Sequence, residues 1–89
     1  MKIIKIGALW CPGCLVMKKV WKNINLKYDN LEIIELDYDM DKDEVSKYNV
    51  GDILPVVIFV SNEGTELERL IGEQKESVLI DKIDRLSDY

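Results

Sequence analysis

Val56-Val57-Ile58-Phe59-Val60 constrains this chain more than any other stretch. Five consecutive apolar, mostly β-branched residues are too short a run for a stable helix and read as a strand. A strand without a polar residue has no face to give to water, so the sheet that contains it must be covered on both sides. The neighbouring segments have to supply that cover, and their periodicities show how.

Lys2 to Gly7, with Ile3, Ile4 and Ile6, reads as a first buried strand. Ala8 to Trp10 form a loop. From Cys11 the spacing turns helical: Cys14, Met17, Val20, Trp21 and Ile24 recur at three and four, with Lys18, Lys19, Lys22 and Asn23 on the other side. Pro12 suits the first turn, where its missing N–H has no partner to lose, and the helix is expected to end near Lys27. Leu31 to Leu36 follows as a second strand, set off by Asp29-Asn30. Asp41 with Glu44 reads as a reciprocal cap opening a short helix through about Tyr48. Pro55 opens the apolar strand, and Asn62-Glu63-Gly64 marks a hairpin into a fourth strand, Thr65 to Ile71. Gly72 breaks the chain. The last segment places Leu79, Ile83 and Leu86 on one face of a helix, with Asp81, Lys82 and Asp84 facing out. The order βαβ-α-ββα implies an α/β fold: a four-stranded mixed sheet, its first two strands parallel, with helices on both faces.

At 89 residues the chain is expected to be a single domain over residues 1–89. Its 12 basic and 17 acidic residues leave a net charge of −5 with no basic stripe, so nucleic acid and anionic membranes are unfavourable partners. No apolar run approaches the ~18–20 residues of a membrane span, and no secretory signal is visible at Met1-Lys2-Ile3-Ile4-Lys5. A cytoplasmic location is the resulting expectation. The chain has no histidine, which removes imidazole acid–base chemistry and the commonest metal ligand.

Chemistry therefore rests on Cys11 and Cys14, at a strand-to-helix junction. Cys11 stands at the helix N-terminus, where free backbone N–H groups and the macrodipole favour an anion. Thiolate character makes Cys11 the nucleophile toward a disulfide. Cys14, one turn on, can attack the Cys11 sulfur, release the substrate and close an intramolecular disulfide. Other readings weigh less. A structural disulfide across so short a loop removes little chain entropy. Two cysteines without histidine leave a zinc tetrahedron half empty unless a dimer shares the metal. Inert packing of two cysteines around Pro-Gly is atypical of a core. Asp37, Asp39, Asp41 and Asp43 alternate like the start of a calcium loop, but Lys42 and Tyr48 stand where glycine and glutamate are required, so they read as a solvated turn.

Trp10-Cys11-Pro12-Gly13-Cys14, followed about forty residues later by Leu54-Pro55 at the head of an apolar strand, resembles thioredoxin. Leu36-Asp37-Tyr38-Asp39, Lys47-Tyr48-Asn49-Val50, the Asn62-Glu63-Gly64 hairpin and Arg69-Leu70-Ile71-Gly72 extend the resemblance along essentially the whole chain. It implies a thiol–disulfide oxidoreductase of the protein-disulfide reductase kind, a dithiol carrier needing neither cofactor nor metal. Cys11 is then the nucleophile and Cys14 the resolving thiol. The Leu54–Pro55 peptide is expected to be cis, with the Leu54 backbone pairing to an extended substrate. Trp10, Pro12, Gly13 and Gly72 would border the same surface, with Leu15 and Val16 either adding to it or packing inward. Implied partners are disulfide-containing proteins and an electron donor, either a flavin-dependent reductase of the thioredoxin reductase type or glutathione, acting on a monomer. Two further readings are a glutathione-linked glutaredoxin and a non-enzymatic thioredoxin-like scaffold.

The sequence departs from the family pattern in three ways. It begins at the strand leading into the cysteines, so the expected fold is the minimal form without the family's N-terminal strand and helix. Pro12-Gly13 reverses the thioredoxin dipeptide. Lys5 stands where thioredoxin carries a buried aspartate, and Glu35 where it carries a lysine. Either the pair is buried with its charges exchanged and Glu35 accepts the Cys14 proton, or Lys5 snorkels to the edge and Glu35 faces water.

Overall fold

The computed structural model describes residues 1–89. Seven elements follow in order: β1 (Lys2–Gly7), α1 (Pro12–Lys27), β2 (Glu32–Asp37), α2 (Lys42–Ser46), β3 (Val56–Val60), β4 (Glu66–Ile71) and α3 (Glu76–Leu86). The α/β expectation holds, with strand boundaries shifted by a residue at β2 and β4. The sheet runs β2-β1-β3-β4. β1 pairs parallel to β2 and antiparallel to β3, and β3 pairs antiparallel to β4.

β3 is interior and buried at every position. Alternation splits its side chains between two cores. Val57 and Phe59 join Ile3, Met17, Trp21, Ile24, Leu79 and Ile83 beneath α1 and α3. Val56, Ile58 and Val60 join Ile4, Ile6 and Val45 on the α2 side. Both faces of the sheet are thereby covered, as the apolar run demanded. Register between β1 and β2 is marked by two ion pairs, Lys2–Glu32 at 4.0 Å and Lys5–Glu35 at 3.7 Å, each joining directly paired residues. The two lysines are three positions apart on β1, an odd step, so the pairs stand on opposite faces of the sheet.

Two local expectations are corrected. Asp41 occupies the N-cap of α2, but its side chain makes no capping bond. Its Oδ2 instead accepts from the Asp37 N–H at 2.8 Å, while Asp37 Oδ1 accepts from the N–H groups of Asp39 and Met40 at 2.9 Å each. The acidic turn satisfies its own backbone, and that competition displaces the capping box. Lys82 is not on the outer face of α3: it is half-buried and its ammonium reaches across to pair with Glu68 of β4 at 2.9 Å.

Candidate active site

β1 ends at Gly7, and the chain crosses Ala8 to Trp10 before α1 begins at Pro12. Cys11 is the N-cap, with extended backbone at φ −91°, ψ 110°. Its Sγ accepts a hydrogen bond from the Cys14 N–H at 3.2 Å, the kind of donor that stabilises a sulfur anion at a helix start. Cys11 and Cys14 form a disulfide. Cys11 is only 3% exposed, and Cys14 is half-buried. Gly7 lies close to the cysteine pair: a Cβ there would stand 3.0 Å from Cys14 Sγ, so a larger residue would press on that sulfur.

The Leu54–Pro55 peptide is cis. Pro55 lies against the cysteine loop, its Cδ 3.2 Å from where a Cβ on Gly13 would sit. The Gly72 N–H donates to the Pro55 carbonyl at 2.8 Å, and Gly72 turns away with φ +91°, a conformation that favours glycine. The Leu54 side chain packs on the α2-side core, yet neither its N–H nor its C=O hydrogen-bonds within the chain. Trp10, Cys11, Pro12, Gly13, Leu54, Pro55 and Gly72, scattered in sequence, are thus brought to one end of the sheet. Leu15 and Val16 are exposed beside them.

Trp10 is held by residues that sequence reading did not single out for the site. Its Nε1–H donates to Asp39 Oδ2 at 2.6 Å, and its ring meets Tyr38 edge-on at a centroid distance of 6.2 Å. Glu73 is a second omission, with Oε1 3.6 Å from the Gly13 Cβ position. Asp39 and Glu73 are ordinary surface acids in sequence, and only the fold brings them here.

Lys5 and Glu35 are brought together, but not as a buried pair. The Lys5 side chain is 21% exposed and that of Glu35 is 77% exposed. β2 is an edge strand, so Glu35 reaches water while Lys5, on interior β1, stays under α1. The Lys5 ammonium lies 4.8 Å from the centre of the Trp21 ring, a cation–π arrangement. Burial lowers its proton affinity below the ordinary lysine range, and the Glu35 carboxylate opposes that shift. The charge-exchanged buried pair, and with it the basis for Glu35 as proton acceptor, is replaced by a half-buried cation with a solvated partner. No group of three or more Cys, Asp or Glu is placed to hold a metal ion.

Residues 1–85 match the family model described as thioredoxin. The chain belongs to the thioredoxin family. Among curated thioredoxins it is 28% identical over 85 residues to thioredoxin H5 of Oryza sativa subsp. japonica, covering 96% of this chain and 61% of that one. It is 26% identical over 76 residues to the thioredoxin of Pongo abelii, covering 85% and 71%. The chain therefore spans about three fifths of the rice relative's length. The thioredoxin of Trypanosoma brucei brucei superposes with a TM-score of 0.86 at 23% identity, over 99% of this chain and 75% of that one. At that identity the likeness describes the thioredoxin fold. The Cys11–Cys14 spacing is that of a thioredoxin-type active site.

Proposed function

We propose that the chain is a protein-disulfide reductase, a dithiol carrier that cycles between the Cys11–Cys14 disulfide and two thiols. The observation that carries this reading is the cysteine pair at the start of α1, faced by Pro55 and by a Leu54 backbone with an unused donor and acceptor. An extended substrate segment would add to Leu54 as a short strand and bring its disulfide over Cys11. The Cys11 thiolate attacks one substrate sulfur; a mixed disulfide forms, and the other substrate sulfur leaves as a thiolate that takes a proton from water. Cys14, as thiolate, then attacks Cys11 Sγ. The mixed disulfide breaks, the second substrate sulfur leaves, and the Cys11–Cys14 bond closes with two electrons passed to the substrate. The sulfur pair is the redox centre, so the cycle requires no cofactor within the chain.

Trp10, Pro12, Gly13 and Gly72 would form the walls of the docking surface. The donor that restores the dithiol would be a flavin-dependent reductase or glutathione, and the reading is of a monomer working in the cytoplasm. The test is turnover of a protein disulfide such as insulin with dithiothreitol as electron source. Activity is expected in the native chain and lost in Cys11→Ser, while Cys14→Ser should accumulate the mixed disulfide. Retained turnover in Cys11→Ser, or a native pair that never closes reversibly, would overturn the reading.

A further inference from the structure

Beneath Cys14 lies a cavity of about 490 Å³. Its charged lining comes from Lys5 of β1, Lys18 of α1, Glu35 and Asp37 of β2, and Asp41; β3 adds only Val56 and Val57, with Pro55 just before it. Cys14 faces this cavity and Cys11 does not. The Asp37 and Asp41 carboxylates are engaged with backbone N–H groups of their own turn. Lys18 is exposed on α1, and Glu35 is in water. Lys5 is left as the half-buried charge. On β1 it shares the α1-facing side with Gly7, one same-face step of roughly 7 Å away, and a Cβ on Gly7 would stand 3.0 Å from Cys14 Sγ. The Trp21 ring holds the Lys5 ammonium toward α1, the helix that carries Cys14.

We propose that Lys5 sets the charge state of the resolving thiol: its ammonium, held in the cavity beneath Cys14, stabilises the Cys14 thiolate, and Glu35 acts on Cys14 only by offsetting that charge. The inference rests on the dithiol cycle proposed above. In the resolving step the Cys14 thiol loses its proton to water, the thiolate forms beside the Lys5 ammonium, and its electron pair makes the new bond to Cys11 Sγ as the substrate thiolate leaves. No charge change at Lys5 is needed. A cation in a partly desolvated space favours a nearby anion more than one at the surface does. This is the reverse of a carboxylate base in the same position, which would take the proton itself.

The two schemes separate in the alkylation of Cys14 by iodoacetamide against pH, measured in a Cys11→Ser background. Lys5→Met is expected to move the alkylation midpoint up by about one pH unit, a roughly tenfold slower reaction at a fixed pH below it. Lys5→Arg should restore most of the shift, and Glu35→Gln should move the midpoint down. Circular dichroism checks the fold of each variant, and the Glu35→Gln arm decides the question if Lys5→Met fails to fold, because Glu35 is exposed. A midpoint unmoved by Lys5→Met, a Lys5→Arg variant that behaves like Lys5→Met, or an upward shift in Glu35→Gln would each overturn the proposal. Reversible closure of the native Cys11–Cys14 pair is scored separately. Its failure removes the redox cycle, whereas the Cys14 midpoint still reports on Lys5.

Discussion

Phe59 is the side chain whose removal tests the packing scheme most directly. It is fully buried one residue from the end of β3, with Ile3 as its partner on β1 and Glu68 on β4, and it fills the space under α1 and α3. Returning a fully buried apolar side chain of this size to water costs about 1.5–3 kcal/mol. The strands on either side are tied by ladder hydrogen bonds, so the walls close only in part. A residual void of roughly 60 Å³, at about 24 cal/mol per Å³, adds about 1.5 kcal/mol. Phe59→Ala should therefore cost about 3–4.5 kcal/mol, out of a total of roughly 4–13 kcal/mol for a chain of this length. The assay is urea unfolding at constant temperature, with the midpoint lowered and the slope retained. Leu26→Ala is the control, since Leu26 is exposed on α1 and alanine is a good helix former; it should change stability by less than about 0.5 kcal/mol. A Phe59→Ala cost below about 1 kcal/mol with an unchanged slope would refute close packing on this face.

Three further outcomes follow from particular contacts. The Tyr28 hydroxyl donates to Asp84 Oδ1 at 2.6 Å, which pushes its pKa up from 10.0 to about 12. Because the protonated form is the one stabilised, this contact supports the fold below pH 10 and is lost as pH rises through about 12; an ultraviolet absorbance titration should show one tyrosine ionising late, and Tyr28→Phe should abolish that late step. Gly64 sits in the β3–β4 turn at φ +95° with open space around its Cβ position, so Gly64→Ala should cost about 1–2 kcal/mol from backbone strain alone, read by denaturant unfolding. Gly7→Ala places a methyl group 3.0 Å from Cys14 Sγ and should destabilise the oxidised form by about 1–3 kcal/mol. The reduced form, whose sulfur is free to rotate, should lose less; equal losses in unfolding of the two forms would contradict the close approach.

The sequence was most legible where neighbouring residues decide the outcome. The apolar run at Val56–Val60 specified an interior strand, and the three–four spacing from Cys14 to Ile24 specified a helix whose buried positions are Met17, Trp21 and Ile24. Pro12 at the first turn and the cysteine ahead of it placed a sulfur at a helix N-terminus. These are consequences of local sterics, periodicity and backbone hydrogen bonding. The acidic turn is the local exception. Asp41 and Glu44 have the spacing of a capping box, but the Asp37 N–H competes for the same carboxylate, and the spacing of two residues does not reveal that third group.

Tertiary structure decided what the motif faces. The order β2-β1-β3-β4 carries Pro55 and Gly72 to the cysteine loop, and the position of the β2–α2 turn beside Trp10 gives Asp39 its hydrogen bond. The Lys5–Glu35 pair shows the distinction most sharply. Residue types suggested two charges in register, and the strands do align them. Whether a charge is buried depends on how many layers cover its strand: interior β1 places Lys5 under α1 against Trp21, and edge strand β2 leaves Glu35 in water. Burial is a property of the assembled sheet, because desolvation is set by atoms distant in sequence, and so the electrostatics beneath Cys14 come from the fold.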